Sequence, residues 1–316
     1  MSCHEQLQLC LSQFWRVLHP PIFGNGYDTE KILSDDAVAL KCALALKCAT
    51  LPSKPLVAMP KKQARILAAN DASLMEGIPK EDRAKFLTQA MIRRKEERCV
   101  PTRCGRCWFP TNCDGTNYCI CASMPPLTFR TRTRFLIYMH PRDWYNAGDD
   151  AKILLSAAPD TSEIFVFGRP GDDEKLQRSL ESCAAALLLF PDASAISTED
   201  FLNTQNPSSS VMHSEAYIGV VVIDGTWNNV KQMQKHFSKH VAPRVPHVKL
   251  EPTALSVYAR TQTRKDGISS IEAIALLLRE LGESHTVCDE LVRYITINNA
   301  ALTLKPEIRE SGDDAV

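Results

Sequence analysis

A run of β-branched and apolar positions from Tyr217 to Ile223 stops abruptly at Asp224-Gly225-Thr226-Trp227. After it Val230, Met233 and Phe237 recur at helical spacing. This pattern predicts a strand, a tight turn and a helix over the stretch Tyr217 to His240. A strand that is apolar at successive positions, without polar alternation, is expected to be buried on both faces, in the middle of a parallel sheet. Ligands bind where such strands end.

The neighbouring segments repeat the rhythm. Arg134 to Met139 predicts a buried strand ending at His140-Pro141-Arg142, and Asn146-Ala147-Gly148 is expected to open a helix through Leu155. Ile164 to Phe167 predicts a strand closed by Gly168-Arg169-Pro170, followed by a helix over Glu174 to Ser182. A further strand runs from Ala185 to Phe190, with a turn at Pro191. Residues 203–216, with Asn-Pro and three serines, predict a surface loop or lid. His247 to Leu250 is a short strand stopped by Glu251-Pro252. Helices follow at Ser270-Ile271, with Ile271, Ile274, Ala275 and Leu278 on one face, and at about Ser284 to Leu302. Strand alternating with helix predicts an α/β fold, a mostly parallel sheet with helices on both faces, over residues 128–305. Residues 306–316 form a polar, acidic tail expected to be disordered.

Residues 1–98 have a different character and predict an α-helical N-terminal extension. Leu7, Cys10, Leu11, Phe14 and Leu18 make one apolar stripe, ended by Pro20-Pro21; helices are expected after Ser34-Asp35-Asp36 and after Pro60. The last helix has Pro79 in its first turn with Glu81 and Asp82 behind it, and Phe86, Leu87, Ala90 and Met91 facing inward. Two readings stand for this region: a packing extension, or an RNA-docking or partner-binding appendage with its basic end at Arg93 to Arg98.

Composition narrows the class. No apolar run approaches the roughly 20 residues needed to span a bilayer, and the N-terminus has no basic segment followed by an apolar stretch and a cleavage site. The expected location is therefore cytoplasmic or nuclear. The chain has 12 cysteines, which in such a location point to metal or free thiols rather than a disulfide framework. Formal net charge is zero, yet Lys85 to Arg134 carries ten Lys and Arg against three acids, and Trp227 to Lys265 carries eight against Glu251 alone. Between these segments Ala147 to Glu215 is acidic. Basic segments bracketing the expected pocket, with the acids kept elsewhere, suit a polyanion such as RNA, although solvated charged faces produce the same pattern.

Four cysteines form the strongest local signal. Cys104-x-x-Cys107 and Cys119-x-Cys121 supply two close thiol pairs across a short loop, as a tetrahedral structural Zn²⁺ site requires, with Cys113 and Cys99 near enough to compete. A redox pair and unliganded core thiols are the alternatives. Residues 99–127 are thus read as a small zinc-binding module. Four protein ligands leave no open position, so the metal is expected to hold structure rather than catalyse.

At the end of the central strand, Asp224, Thr226 and a helix N-terminus converge, with Trp227 as a flat stacking surface. The plainer reading makes Gly225 the turn residue, Thr226 or Asp224 the helix cap and Trp227 core. His140 is either a satisfied polar group at a strand end or a substrate-facing one, and Glu272 suits a first helical turn on dipole grounds alone.

Asp-x-Thr-Trp closing an apolar strand resembles the signature of the DTW-domain family, the tRNA-uridine aminocarboxypropyltransferases. Three other segments fall in that family's order: the cluster Cys104 to Cys121, His140-Pro141 with Asn146, and Ser256-x-Tyr258-x-Arg260 followed by Ser269-Ser270-Ile271-Glu272-Ala273. The resemblance covers roughly residues 100–285; the family has Ser-Thr where this chain has Ser269-Ser270. It implies a SPOUT-like fold and transfer of the 3-amino-3-carboxypropyl group of S-adenosylmethionine to N3 of a uridine in tRNA, releasing methylthioadenosine. The co-substrate would lie in the loops Phe190-Pro191, Asp224-Gly225-Thr226-Trp227 and Leu250 through Tyr258. Asp224 is the candidate base, with Thr226 and Trp227 beside it; His140, Arg142, Arg260 and Arg264 are placed to meet RNA or the co-substrate carboxylate. The alternatives are a SPOUT-like RNA methyltransferase, an aminocarboxypropyltransferase acting on ribosomal RNA, and a non-catalytic zinc-containing RNA-binding protein.

Overall fold

A computed structural model describes residues 78–111, 117–204, 217–251 and 268–304. The expectations for residues 1–77, for the loop over 203–216 beyond its first two residues, which end a helix, and for the tail at 306–316 lie outside them. Helix α1 is Lys80–Arg98, β1 Thr133–Met139, α2 Leu154–Ala157, β2 Ser162–Val166, α3 Asp172–Glu181 and β3 Ala185–Leu189. They are followed by α4 Thr198–Thr204, β4 Ile218–Asp224, α5 Trp227–His236, β5 His247–Val248, α6 Ser270–Glu280 and α7 His285–Leu304.

The five strands form one sheet in the order β2-β1-β4-β3-β5, every pairing parallel. All seven residues of β4 are buried, as its unbroken apolar run requires of a strand covered on both sides. Side chains of β1 and β4 divide by parity. Phe135, Ile137, Met139, Val220 and Val222 enter a core shared with α6 and α7. Leu136, Tyr138, Val221 and Ile223 enter a second core with Leu176 and Leu180 of α3 and with Val230, Met233 and Phe237. The helical spacing after the Asp-Gly-Thr-Trp turn is therefore the inner face of α5, whose last turn widens to a π-helix over Phe237–Val241. The predicted face of α6 is buried at Ile271, Ile274, Ala275 and Leu278.

Three expectations are corrected. No regular helix opens at Asn146. The Asn146 side-chain carbonyl accepts from Gly148 N at 2.8 Å, a local turn that competes with helix, and a 3₁₀ turn begins only at Ala151. Pro79 is the N-cap of α1 rather than a first-turn residue. The buried side chains of α1 are Ile92 and Lys95; of the expected inward set Phe86, Ala90 and Met91 are half-buried and Leu87 is exposed. Its contacts explain the rotated face: Gln89 donates to Gly168 O, and Glu96 pairs with Arg169 at 2.9 Å. Among the described residues no helix is long and apolar enough to cross a membrane.

Candidate active site and metal centre

Because all strands are parallel, their C-terminal ends share one edge, and the register Met139↔Asp224 sets the ends of β1 and β4 side by side. His140 N donates to Asp224 O at 2.9 Å. Gly225 then takes φ +154°, and a Cβ there would lie 3.0 Å from His140 Cβ, so the turn requires glycine both for conformation and for room. Thr226 occupies the N-cap of α5, yet its side chain makes no capping hydrogen bond. The plainer sequence reading of Thr226 as the cap thus fails at the level of the hydroxyl. Trp227, the first residue of α5, packs against the core beside Phe190, ring centroids 6.4 Å apart.

Asp224 is buried and its two oxygens differ. Oδ1 accepts from Ser270 Oγ at 2.8 Å; Oδ2 is buried without a hydrogen-bond partner. Three further carboxyls are buried in the turns after β1: Asp143, Asp149 and Asp150. One oxygen each of Asp149, Asp150 and Asp224 lies within 4.8 Å of the other two. Burial first, then the charge and hydrogen bond of Asp224, push the Asp149 carboxyl well above the usual carboxylate range. Asp150 Oδ2 accepts from Ile271 N at 3.0 Å, so the positive end of α6 faces the cluster. The capping box of α6 uses Ser269 and Glu272, which assigns Glu272 to the helix terminus. The expectation that the acids are kept elsewhere is corrected at this edge, where Asp143, Asp149 and Asp150 are buried close to Asp224.

His140 Nδ1 accepts from Arg142 N at 3.2 Å and lies 3.3 Å from Asn229 Nδ2, which leaves the proton on Nε2 of a neutral ring. Burial and the nearby Arg142 charge lower its pKa to about 4. Arg142 itself is exposed at this edge, Pro191 likewise, and Leu250 is half-buried. Phe190 is a core side chain. Tyr258, Arg260 and Arg264 lie outside the described residues. Sequence reasoning missed Asp143, Asp149, Asp150 and Lys152; the signal available was Asp149-Asp150 directly before an apolar run, at the end of a strand-following turn.

The second constellation is the cysteine cluster. The Sγ atoms of Cys104 and Cys121 are 3.6 Å apart, those of Cys107 and Cys119 3.7 Å, and those of Cys119 and Cys104 3.5 Å. All four are free thiols. These separations are far too long for a disulfide and close to the ~3.8 Å edge of a tetrahedron with metal–sulfur bonds of about 2.3 Å. The four sulfurs are therefore placed to bind one metal ion. Cys99 is not part of this cluster, and Cys113 lies outside the described residues. Trp108, at φ 60°, turns the chain after Cys107 and is buried with Phe109 in the same core as α6 and α7.

A family model, the DTW domain, matches residues 101–301, from just before Cys104 into α7. The tRNA-uridine aminocarboxypropyltransferase 2 of Drosophila melanogaster is 27% identical over 180 residues, 55% of this chain and 66% of that protein. The chain thus spans just under two thirds of that relative. No solved structure matches it.

Proposed function

The chain belongs to the DTW domain family, and from that premise we propose that it is a transferase acting on tRNA, moving the 3-amino-3-carboxypropyl group of S-adenosylmethionine to N3 of a uridine. The observation that carries this reading is Asp224-Gly225-Thr226-Trp227 at the C-terminal end of the central parallel strand, where a buried carboxyl stands beside the start of a helix whose N-cap hydroxyl makes no capping hydrogen bond. The similarity to a tRNA-uridine aminocarboxypropyltransferase supports it.

S-adenosylmethionine supplies a carbon made electrophilic by a sulfonium leaving group. The protein has two tasks: to hold that carbon in line with N3 and to accept the weakly acidic N3 proton. Asp224 is the candidate base and Thr226, with the N–H groups of the first turn of α5, the candidate seat for the carboxylate of the transferring group. Trp227 offers a stacking face. The neutral His140 and the exposed Arg142 stand on the same edge, where a loop nucleotide turned out of its stack would enter. A uridine in a loop is cheaper to extrude than a paired one.

The metal reading belongs to this proposal. Cys104, Cys107, Cys119 and Cys121 suit zinc by donor type, number and spacing, and a closed set of four thiolates gives the ion a structural role.

The test is to incubate purified protein with carboxyl-labelled S-adenosylmethionine and bulk tRNA, then identify the labelled nucleoside and the by-product. Label in an N3-alkylated uridine with methylthioadenosine released is the expected result. Adenosylhomocysteine as by-product would replace it with methyl transfer, and RNA binding without consumption of the co-substrate would replace it with a non-catalytic role.

A further inference from the structure

Two buried oxygens at the site have no hydrogen-bond partner: Oδ1 of Asp149 and Oδ2 of Asp224. Their carboxyls lie together, one oxygen of each within 4.8 Å of one of the other, and Asp149 is 2% and Asp224 7% exposed. Two carboxylates so placed repel each other, and neither oxygen is satisfied unless one carboxyl carries a hydrogen. A single proton resolves both defects, because a protonated carboxyl turns an acceptor into a donor.

We propose that Asp149 is a positioning residue that keeps a proton on its buried carboxyl and donates it to Asp224, so that Asp224 is held by Ser270 at Oδ1 and by Asp149 at Oδ2. The pair then carries one negative charge, and the Asp224 carboxylate has one orientation. Which member releases the proton is a property of the pair; Asp149 is the member enclosed by further acids. Asp143 and Asp150 face it from its own loop, both raising the cost of ionisation. Ser270 and the N-terminus of α6 face Asp224 and Asp150, and the neutral His140 is bonded to the backbone of Asp224. The Lys152 ammonium donates to Ala147 O, to Asp149 O at 2.7 Å and to Asn298 Oδ1 at 2.9 Å. It thereby fixes the backbone from which the Asp149 side chain projects. The catalytic consequence rests on the proposed transfer; the protonation itself does not.

Two variants and two readouts separate these. Asp149→Asn keeps a donor in place of the protonated oxygen, whereas Asp149→Leu removes it. The first readout is the equilibrium unfolding constant of the metal-loaded protein between pH about 7 and about 8.5, above the usual histidine and carboxylate ranges. A proton kept in the folded state and released on unfolding makes that constant rise with pH, by up to about tenfold per pH unit until the folded carboxyl itself ionises. Asp149→Asn should flatten this slope by up to one proton relative to wild type.

The second readout is single-turnover transfer. Asp149→Asn should retain most of it, and Asp149→Leu should lose on the order of tenfold to a hundredfold, the effect of leaving a buried acceptor without its donor. Parallel pH slopes for wild type and Asp149→Asn would overturn the proposal. So would an Asp149→Asn protein that is folded yet as inactive as Asp149→Leu, since Asp149 would then act ionised, as a base or a cation ligand. If wild type itself transfers nothing, the functional reading fails while the pH slope still decides the protonation. If Asp149→Leu does not fold, the slope and the activity of Asp149→Asn decide it.

Discussion

Replacing Gly225 by alanine should damage stability and turnover together, through one contact. At φ +154° a side chain is strained whatever the surrounding space, at a cost of order 1–3 kcal/mol. The added methyl would meet His140 Cβ at 3.0 Å, while Asp143 Oδ2 at 3.5 Å and Val230 Cγ2 at 3.6 Å are ordinary contacts. His140 cannot simply retreat, because its N–H is bonded to Asp224 O at 2.9 Å. The strain and the single tight contact together suggest about 2–3 kcal/mol. At about 2–4 °C per kcal/mol for a domain of this size, the midpoint should fall by roughly 4–12 °C. Scanning calorimetry of the metal-loaded protein measures this, with tRNA labelling run in parallel. Any relief of the contact moves either the Asp224 carbonyl or His140, so turnover should drop by more than the unfolded fraction at the assay temperature explains. A variant with the wild-type midpoint would refute the strain argument. One destabilised as predicted but fully active would show that the spacing of His140 and Asp224 does not set the site.

Four other outcomes follow from the same geometry. Asp224→Ala should abolish transfer while leaving tRNA binding nearly intact, and near-wild-type turnover would remove Asp224 as the base. Ser270→Ala deletes the 2.8 Å hydrogen bond to Asp224, worth about 1.5–3 kcal/mol for a bond to a charged group, so kcat/KM should fall roughly tenfold to a hundredfold; an unchanged value would show that this bond does not orient the carboxylate. Ser at both Cys104 and Cys107 should reduce metal content and folded yield together, and a well-folded, metal-free double variant would refute the metal assignment. His140 titrates at about 4 when folded against about 6.5 unfolded; its contribution is therefore present above the unfolded value and lost as pH falls from about 6.5 toward 4. A pH series of chemical denaturation should show this loss in wild type and less of it in His140→Gln.

What the sequence made legible is what depends on local periodicity. The apolar run of β4 is buried at every position, and Val230, Met233 and Phe237 face the core, because a covered strand and an amphipathic helix write their surroundings into residue spacing. The cysteine pairs were legible because ligand spacing within each pair constrains the chain over a few residues. The acids were not. Asp149 and Asp150 sit in an acidic stretch that reads as solvated, and only the parallel pairing of β1 with β4 and the approach of α6 turn them toward Asp224. Contacts between residues 46 and 121 positions apart leave no periodic trace.

The same tertiary placement bears on what the cysteine module does. Trp108 and Phe109, which flank its first thiol pair, lie in one core with α6 and α7, and Trp108 stacks on Tyr145 at 5.5 Å. Arg103 donates to Tyr145 O at 2.7 Å, and Cys121 Sγ is 3.6 Å from Ser156 Oγ. Lys152 lies 5.9 Å from the Trp108 ring and 5.5 Å from the Phe109 ring, within cation–π range. Its ammonium holds the backbone carbonyl of Asp149. The chain from thiol cluster to aromatic pair, to buried lysine, to the turn carrying Asp149 and Asp150 is continuous contact. A metal ion bound at the four sulfurs would therefore fix one wall of the carboxyl cluster as well as the cysteine module itself.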